Sequence, residues 1–408
     1  MATLRPFRAL RPRPADAARI AAVPYDVVST DEARMLAEGN PLSFLRVSRA
    51  EIELAPDTDP HSPAVYQRAA ENFASLRRSS FVLEETPSIY LYRLQMGGRR
   101  QTGLGACFDL DDYDRNVIKK HERTRHDKED DRTRHMVSLR AQTGPVFLVY
   151  RAQDAITDLV EEATTKEPLV DFQSADSVRH TVWRADEPAG DALIAASRQI
   201  PTLYIADGHH RAASAARARI ELEKQTLGDG EAGAEAEFRR FLAVAFPDTE
   251  VQILPYNRVI SDLAGRSAAG FLDEVGQRFE VVPGTPVPRN RGEIAMYLEG
   301  RWHLLRGRRR ASDVISSLDV SVLQDQLLEP LLGIRDVRSD SRIDFVGGVR
   351  GAEELERLVD SGRAAAAFSL FPVSMEDLMK VSDAGGIMPP KSTWFEPKLR
   401  DGLLIHVI

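Results

Sequence analysis

The 408-residue chain carries 54 Lys and Arg against 62 Asp and Glu, a formal net charge of −8, which excludes a surface built throughout for nucleic acid or anionic membrane, although not a local basic patch. Its 43% hydrophobic and 28% charged residues are ordinary for a globular protein, and the length allows two or three sub-domains whose core needs no covalent staples. The one cysteine, Cys107, rules out an intramolecular disulfide and a cysteine-rich zinc site, and within the apolar run 104–110 it reads as a small buried hydrophobe.

No apolar stretch approaches the ~20 residues of a membrane helix. The first ten residues carry arginines with no apolar signal core behind them. Both features suit a reducing cytoplasm and no membrane partner.

In chain order, residues 23–28 start extended, because Pro24 pushes Val23 out of the α region. Thr30 or Asp31 is placed to cap a helix through Met35 and Leu36, which Asn40 and Pro41 end. Residues 42–47 read as a strand. Ser62 and Pro63 open a helix over 64–78, with Val65, Ala69, Phe73 and Leu76 on one stripe. Residues 89–95 and 102–108 form a hairpin about Gly97 and Gly98, two glycines able to supply the positive φ of a tight turn. Further strands are expected over 146–150, 181–183, 202–206 and 241–246. An alanine-rich helix follows Arg211 through Ile220 and Leu222, and residues 227–234 read as an exposed loop.

A second part begins near Asp262 and divides the chain into 1–261 and 262–408, packed one on the other. It should hold a helix over 269–279, a proline-rich linker over 282–289, a hairpin over 294–305 and helices over 320–332 and 352–361. Strands over 364–371 and 403–408 complete it. The mixture predicts an α+β fold, mixed sheets with flanking helices, rather than a doubly wound parallel sheet.

Chemistry concentrates first at Asp207-Gly208-His209-His210-Arg211, where a buried strand turns into the alanine-rich helix. Gly208 permits a sharp turn and close approach by a ligand. The helix start offers free N–H groups and a positive dipole end, an anion site to which Arg211 adds a fork of donors. Asp207 is a candidate general base or Mg²⁺ ligand, so its replacement by Asn should cost turnover and leave the fold nearly intact. The plainer alternative is an Asp helix cap with locally satisfied histidines.

Residues 119–135 contain no apolar side chain. Two readings stay open for them. One is a solvated helix with i,i+4 pairs Arg123–Asp127 and Asp130–Arg134. The other is a mobile segment, ordered by ligand, that lays Lys120, His121, Glu122 and Arg132 over a polyanion. A metal site from His121, His126 and His135 matches no familiar zinc spacing. Near the C-terminus, Lys391, Ser392 and Thr393 follow two prolines and present a cation and two hydroxyls, without the glycine-rich loop of a Walker motif. Asp26 and Arg46 are minor candidates.

These motifs carry a resemblance. Val23-Pro24-Tyr25-Asp26-Val27-Val28-Ser29, Asn40-Pro41-Leu42-Ser43-Phe44, Lys120-His121-Glu122-Arg123-Thr124, the Asp207 turn and Met388-Pro389-Pro390-Lys391-Ser392-Thr393 together resemble one prokaryotic family, domain of unknown function one thousand and fifteen, from residue 4 to residue 406. The Asp-Gly-His-His-Arg turn also resembles that of free-serine kinases and, more widely, of ParB-like and sulfiredoxin-like nucleotide-binding domains. Sulfiredoxin chemistry is disfavoured, because its cysteine is missing from the turn.

The kinase resemblance implies a ParB/sulfiredoxin-like nucleotide-binding portion and ATP or ADP with Mg²⁺ as cofactors. It also implies a small hydroxylated metabolite, free L-serine first, as phosphoryl acceptor. Asp207, His209, His210 and Glu122 would then be catalytic, with Asp207 also the metal ligand. Gly208, Arg211, Lys120, His121, Arg132, Lys391, Ser392 and Thr393 would hold the nucleotide. A non-catalytic nucleotide-binding regulatory protein is the rival reading. A homo-oligomer is compatible with either. A nucleic-acid partner is disfavoured by the net charge.

Overall fold

Alternation, turn chemistry and helical stripes decide the elements, and the computed structural model describes them for residues 2–226, 236–307 and 313–408. The loop expected over 227–234 lies outside the described residues. The chain forms two compact units, Met1–Val251 with Pro397–Ile408, and Gln252–Glu396. It therefore leaves the first unit ten residues before the boundary expected at Asp262 and returns to it at the end.

Among the described residues, the first unit is built on a nine-stranded mixed sheet. Its order runs Ile118–Lys119, Leu203–Asp207, Val146–Tyr150, Arg240–Pro247, Arg99–Asp109, Tyr90–Met96, Arg179–Arg184 and Val170–Gln173, with Leu4–Arg5 added to Arg99–Asp109. The expected hairpin is present, with Tyr90 opposite Gly105 and Met96 opposite Arg99. Gly97 alone takes positive φ, at 57°. Leu203–Asp207 runs antiparallel to Val146–Tyr150 and parallel to the short edge strand Ile118–Lys119. That parallel edge brings the residues after Lys119 beside those after Asp207.

A second, four-stranded sheet joins Phe81–Leu83, Ala9–Pro12, Ile405–Val407 and Ala141–Gln142, so the last residues of the chain are a strand between two others. The helix Pro63–Ser79 covers this region with Val65, Ala69, Phe73 and Leu76 buried, as its stripe requires. Full burial of such a side chain stabilises by about 1.5–3 kcal/mol.

The α+β class with mixed sheets holds, and two local readings change. Residues 42–47 are not a strand; they enter the short helix Leu45–Ser48, in which Leu45 and Val47 are buried. Ser29, not Thr30 or Asp31, caps the helix Thr30–Ala37, in a reciprocal capping box with Glu32. The second unit carries a six-stranded antiparallel sheet, Phe279–Pro283, Arg301–Gly307, Glu293–Leu298, Ala366–Leu370, Tyr256–Ile260 and Ile343–Gly347. Its expected hairpin is there, with Leu298 opposite Arg301.

Candidate functional site

The strand Leu203–Asp207 is buried through Ala206, and Asp207 half emerges from it. Gly208 takes φ 94°, and a Cβ there would lie 2.9 Å from Arg211 Nε, so conformation and space both demand glycine. The helix His209–Thr226 begins at the next residue, leaving its first N–H groups without intrahelical acceptors.

Asp207 sits between two cations. Its Oδ1 accepts from Gly208 N at 3.0 Å, while Oδ2 accepts from Lys398 Nζ at 3.1 Å and lies 3.5 Å from Arg211 Nη2. Burial disfavours its charge, but Lys398 and Arg211 outweigh burial and hold the carboxyl well below the usual carboxylate range. Arg211 is itself buried, and its Nη1 donates to Pro145 O at 2.7 Å. Its Nε has no hydrogen-bond partner.

The two histidines of the turn reach across to the neighbouring loop. His209 Nε2 accepts from His121 N at 3.4 Å, and His210 Nε2 accepts from Arg125 N at 3.1 Å. The His121 and His209 rings meet edge to face with centres 4.5 Å apart. Burial, opposed by a hydrogen bond to the Ile205 carbonyl, pushes His121 down to about 4; burial, then the neighbouring His121, pushes His209 well below its ordinary value. Both rings are neutral at pH 7. His121, Glu122 and His209 each offer one donor atom within 4.8 Å of the others.

Residues 119–135 are thus tied down without any ligand, and most of them form the helix His126–Leu139. Charge is buried here by pairing. Glu129 and Asp130 bond Arg217 of the facing helix, and Asp131 takes Tyr66 Oη at 2.9 Å and Arg132 Nε at 2.8 Å. His135 Nε2 lies 3.0 Å from Val47 O. Asp127 pairs with Arg125 rather than with Arg123. The segment is neither a solvated helix nor an unanchored one, because Arg217, Tyr66 and the Ser48 and Val47 carbonyls of other elements hold it.

Beneath the turn is a cavity whose lining includes Tyr25, Arg132, His135, Gly144, Arg211 and Asp401. Arg132, which donates to Ser48 O at 3.2 Å and stacks 4.1 Å from the Tyr25 ring centre, therefore shares a cavity with Arg211. Asp401 is 3% exposed and its Oδ1 has no hydrogen-bond partner. A Cβ at Gly144 would come within 2.2 Å of that oxygen.

Burial, with Asp26 adding to it and Arg211 and Arg132 opposing, raises Asp401 to about 7. A carboxyl that is harder to ionise when folded binds more protons folded than unfolded between its unfolded value near 3.9 and about 7, so its contribution to stability falls as pH rises through that window. Relative to Asp401→Asn, the parent is expected to lose on the order of 4 kcal/mol between pH 4 and pH 7, read by denaturant unfolding. A difference between the two proteins that does not change with pH would mean that Asp401 is ionised throughout.

The remaining expected residues fall elsewhere. The Lys120 ammonium rests 3.7 Å from the centre of the Tyr113 ring. Lys391, Ser392 and Thr393 belong to the second unit, where the Ser392 hydroxyl donates to Pro389 O at 2.6 Å and the Lys391 carbonyl accepts from Arg258 at 3.0 Å. Lys391 itself lies over Tyr256, 5.3 Å from the ring centre. Lys398 and Asp401 were missed by sequence reasoning. The signal was available: Lys398, Arg400 and Asp401 interrupt an otherwise apolar ending, and charges inside a buried stretch need partners.

Among the described residues no helix is long and apolar enough to cross a membrane. No curated protein matches the sequence. Among solved structures, the chain is similar to a free serine kinase in complex with AMP (15% identity, 74% of this chain and 92% of that one, TM-score 0.38). It is also similar to a conserved hypothetical protein from Pyrococcus furiosus (15%, 74% and 95%, TM-score 0.36). A third is SbnI with a C-terminal truncation from Staphylococcus aureus (10%, 73% and 85%, TM-score 0.39). Likeness this low transfers neither ligand nor activity. The family model described as protein of unknown function (DUF1015) matches residues 4–321, short of the Met388 to Thr393 motif. Matched over most of its length, the chain belongs to this DUF1015 family.

Proposed function

We propose that the protein transfers a phosphoryl group from ATP or ADP to a small hydroxylated metabolite, with free L-serine the first acceptor to try. The observation that carries this reading is the convergence at one helix start of the buried Arg211 and two carboxylates, Asp207 and Glu122. Phosphoryl transfer asks mainly for alignment and charge neutralisation, which such a turn supplies. The resemblance of the Asp-Gly-His-His-Arg turn to that of free-serine kinases adds to it.

In this reading the phosphates lie against the start of the helix His209–Thr226. Arg211 and Arg132 give the adjoining cavity its cationic wall, and Lys120 is a further cation of the loop. Asp207 is a structural counter-ion, since Lys398 and Arg211 already neutralise it. Glu122 serves the acceptor hydroxyl, either taking its proton or holding an ion that acidifies it. His209 and His210 position the loop that carries Glu122. Asp207 does not fit as a Mg²⁺ ligand, because its two oxygens are engaged by Gly208, Lys398 and Arg211. Any Mg²⁺ would come with the nucleotide's own phosphates.

The test is a screen of ATP and ADP against amino acids and polyols, with phosphorus NMR detecting new phosphomonoesters. A product identifies the acceptor. Nucleotide binding by calorimetry with no product from any acceptor would select the nucleotide-binding regulatory protein. Absence of binding would remove both readings.

A further inference from the structure

We propose that His121, Glu122 and His209 form a binding site for one divalent first-row transition-metal ion. The proposal deepens the role given above to Glu122, yet it stands on its own geometry and does not need phosphoryl transfer to be correct.

Three observations support it. The three donor atoms lie within 4.8 Å of one another, although they come from two separate segments. Around an ion with bonds of about 2.0–2.2 Å, ligand atoms sit about 3–3.5 Å apart, so the side chains need draw in only by about an ångström.

Second, His121 is 2% exposed and its Nδ1 is buried with no hydrogen-bond partner. A buried polar atom left alone costs free energy, and a cation would supply its missing partner. Third, the Ile205 carbonyl lies beside the ring and favours its N–H. A backbone carbonyl behind the ring is the usual outer support of a metal-bound histidine. The facing ring is only weakly engaged, since His209 Nε2 meets the His121 amide at 3.4 Å.

The donor set decides the class of ion. Mg²⁺ and Ca²⁺ prefer oxygen throughout, whereas two imidazoles and one carboxylate suit Zn²⁺, Mn²⁺, Fe²⁺ or Co²⁺. Three protein donors leave at least one position open for water, or for a hydroxyl or phosphate oxygen of a ligand. His126 and His135 are not part of the set: the first is exposed and the second bonds the Val47 carbonyl.

The experiment uses the full chain, stripped with a chelator, then titrated with Zn²⁺ alone by calorimetry and with Co²⁺ alone by visible absorption. One ion per chain is expected, with Co²⁺ showing the d–d bands of a low-coordinate nitrogen and oxygen site. Glu122→Gln should weaken Zn²⁺ by at least about 10-fold, and His121→Gln by more. Circular dichroism checks that each variant is folded. If His121→Gln is not, Glu122→Gln decides, because its side chain is only half-buried.

Failure of the parent to bind Zn²⁺, Co²⁺ or Mn²⁺ would overturn the proposal, as would unchanged Zn²⁺ affinity in Glu122→Gln. The outcomes separate from those of the kinase reading. Phosphoryl transfer without metal binding would leave Glu122 as the base and remove this site. Metal binding without transfer would keep the site and remove the kinase.

Discussion

Glu122→Gln is expected to lower kcat for phosphoryl transfer by about 10²–10⁴ and to leave the melting temperature within a few degrees of the parent. Glutamine keeps the shape and length of the side chain but neither takes a proton nor carries the charge that holds a cation. The residue sits on a loop whose backbone is fixed independently, by His209 at His121 N and by His210 at Arg125 N, so the loop should keep its place in the variant. The loss should fall on kcat rather than on nucleotide affinity, because the interaction matters at the reacting hydroxyl and not at the bound nucleotide. Steady-state rates with nucleotide and acceptor both varied would read this split. A kcat within about two-fold of the parent would take Glu122 out of the chemistry. A large fall in melting temperature would instead make it a structural residue.

The parts of this site that lie close together in sequence were legible. A strand ending in Asp207, a glycine that must turn, and an alanine-rich helix behind it follow from local rules, and Gly208 at φ 94° bears them out. The parallel pairing of Ile118–Lys119 with Leu203–Asp207 was not legible. Two-residue edge strands carry almost no pattern, yet this one sets His121 against His209. The same limit hid Lys398, which reaches Asp207 across 191 residues of sequence through the return of Pro397–Ile408.

Residues 119–135 show the opposite error. Their lack of apolar side chains was read as a reason to be mobile or solvated, but Glu129, Asp131, Thr133 and His135 are buried. What holds them is pairing with Arg217 and Tyr66 and with the Ser48 and Val47 carbonyls, none of which a single segment can reveal. Residues 42–47 failed for a different reason. A short apolar run fits strand and helix equally, and only its neighbours chose the helix Leu45–Ser48. The capping box of Ser29 and Glu32, by contrast, was there to be read.

Asp207→Asn is expected to destabilise the first unit by about 3 kcal/mol, contrary to the expectation that asparagine would preserve the fold. The reason is the ion cluster. Removing one member of a buried pair leaves the others desolvated and uncompensated, which typically costs about 3–5 kcal/mol; with Asp207 at 25% side-chain exposure, the lower end applies. Lys398 and Arg211, at 12% and 9%, would keep their charges with no carboxylate between them. The pH dependence follows from the same cluster. Asp207 is held well below its unfolded value, so its contribution is fully present above about pH 4 and is lost only as pH falls through its depressed folded value. Parent and variant should therefore differ at pH 7 and converge in strong acid. A second substitution separates charge from shape. Lys398→Met in the Asp207→Asn background removes one stranded cation and should recover part of the loss, giving a coupling energy of about 1–3 kcal/mol between the two positions. Denaturant unfolding of the four proteins measures it. Strictly additive effects would mean that the Lys398–Asp207 pair is solvated and worth little. Asp207 would then be free to act as the base or metal ligand first expected of it, and its variant would lose turnover without losing stability.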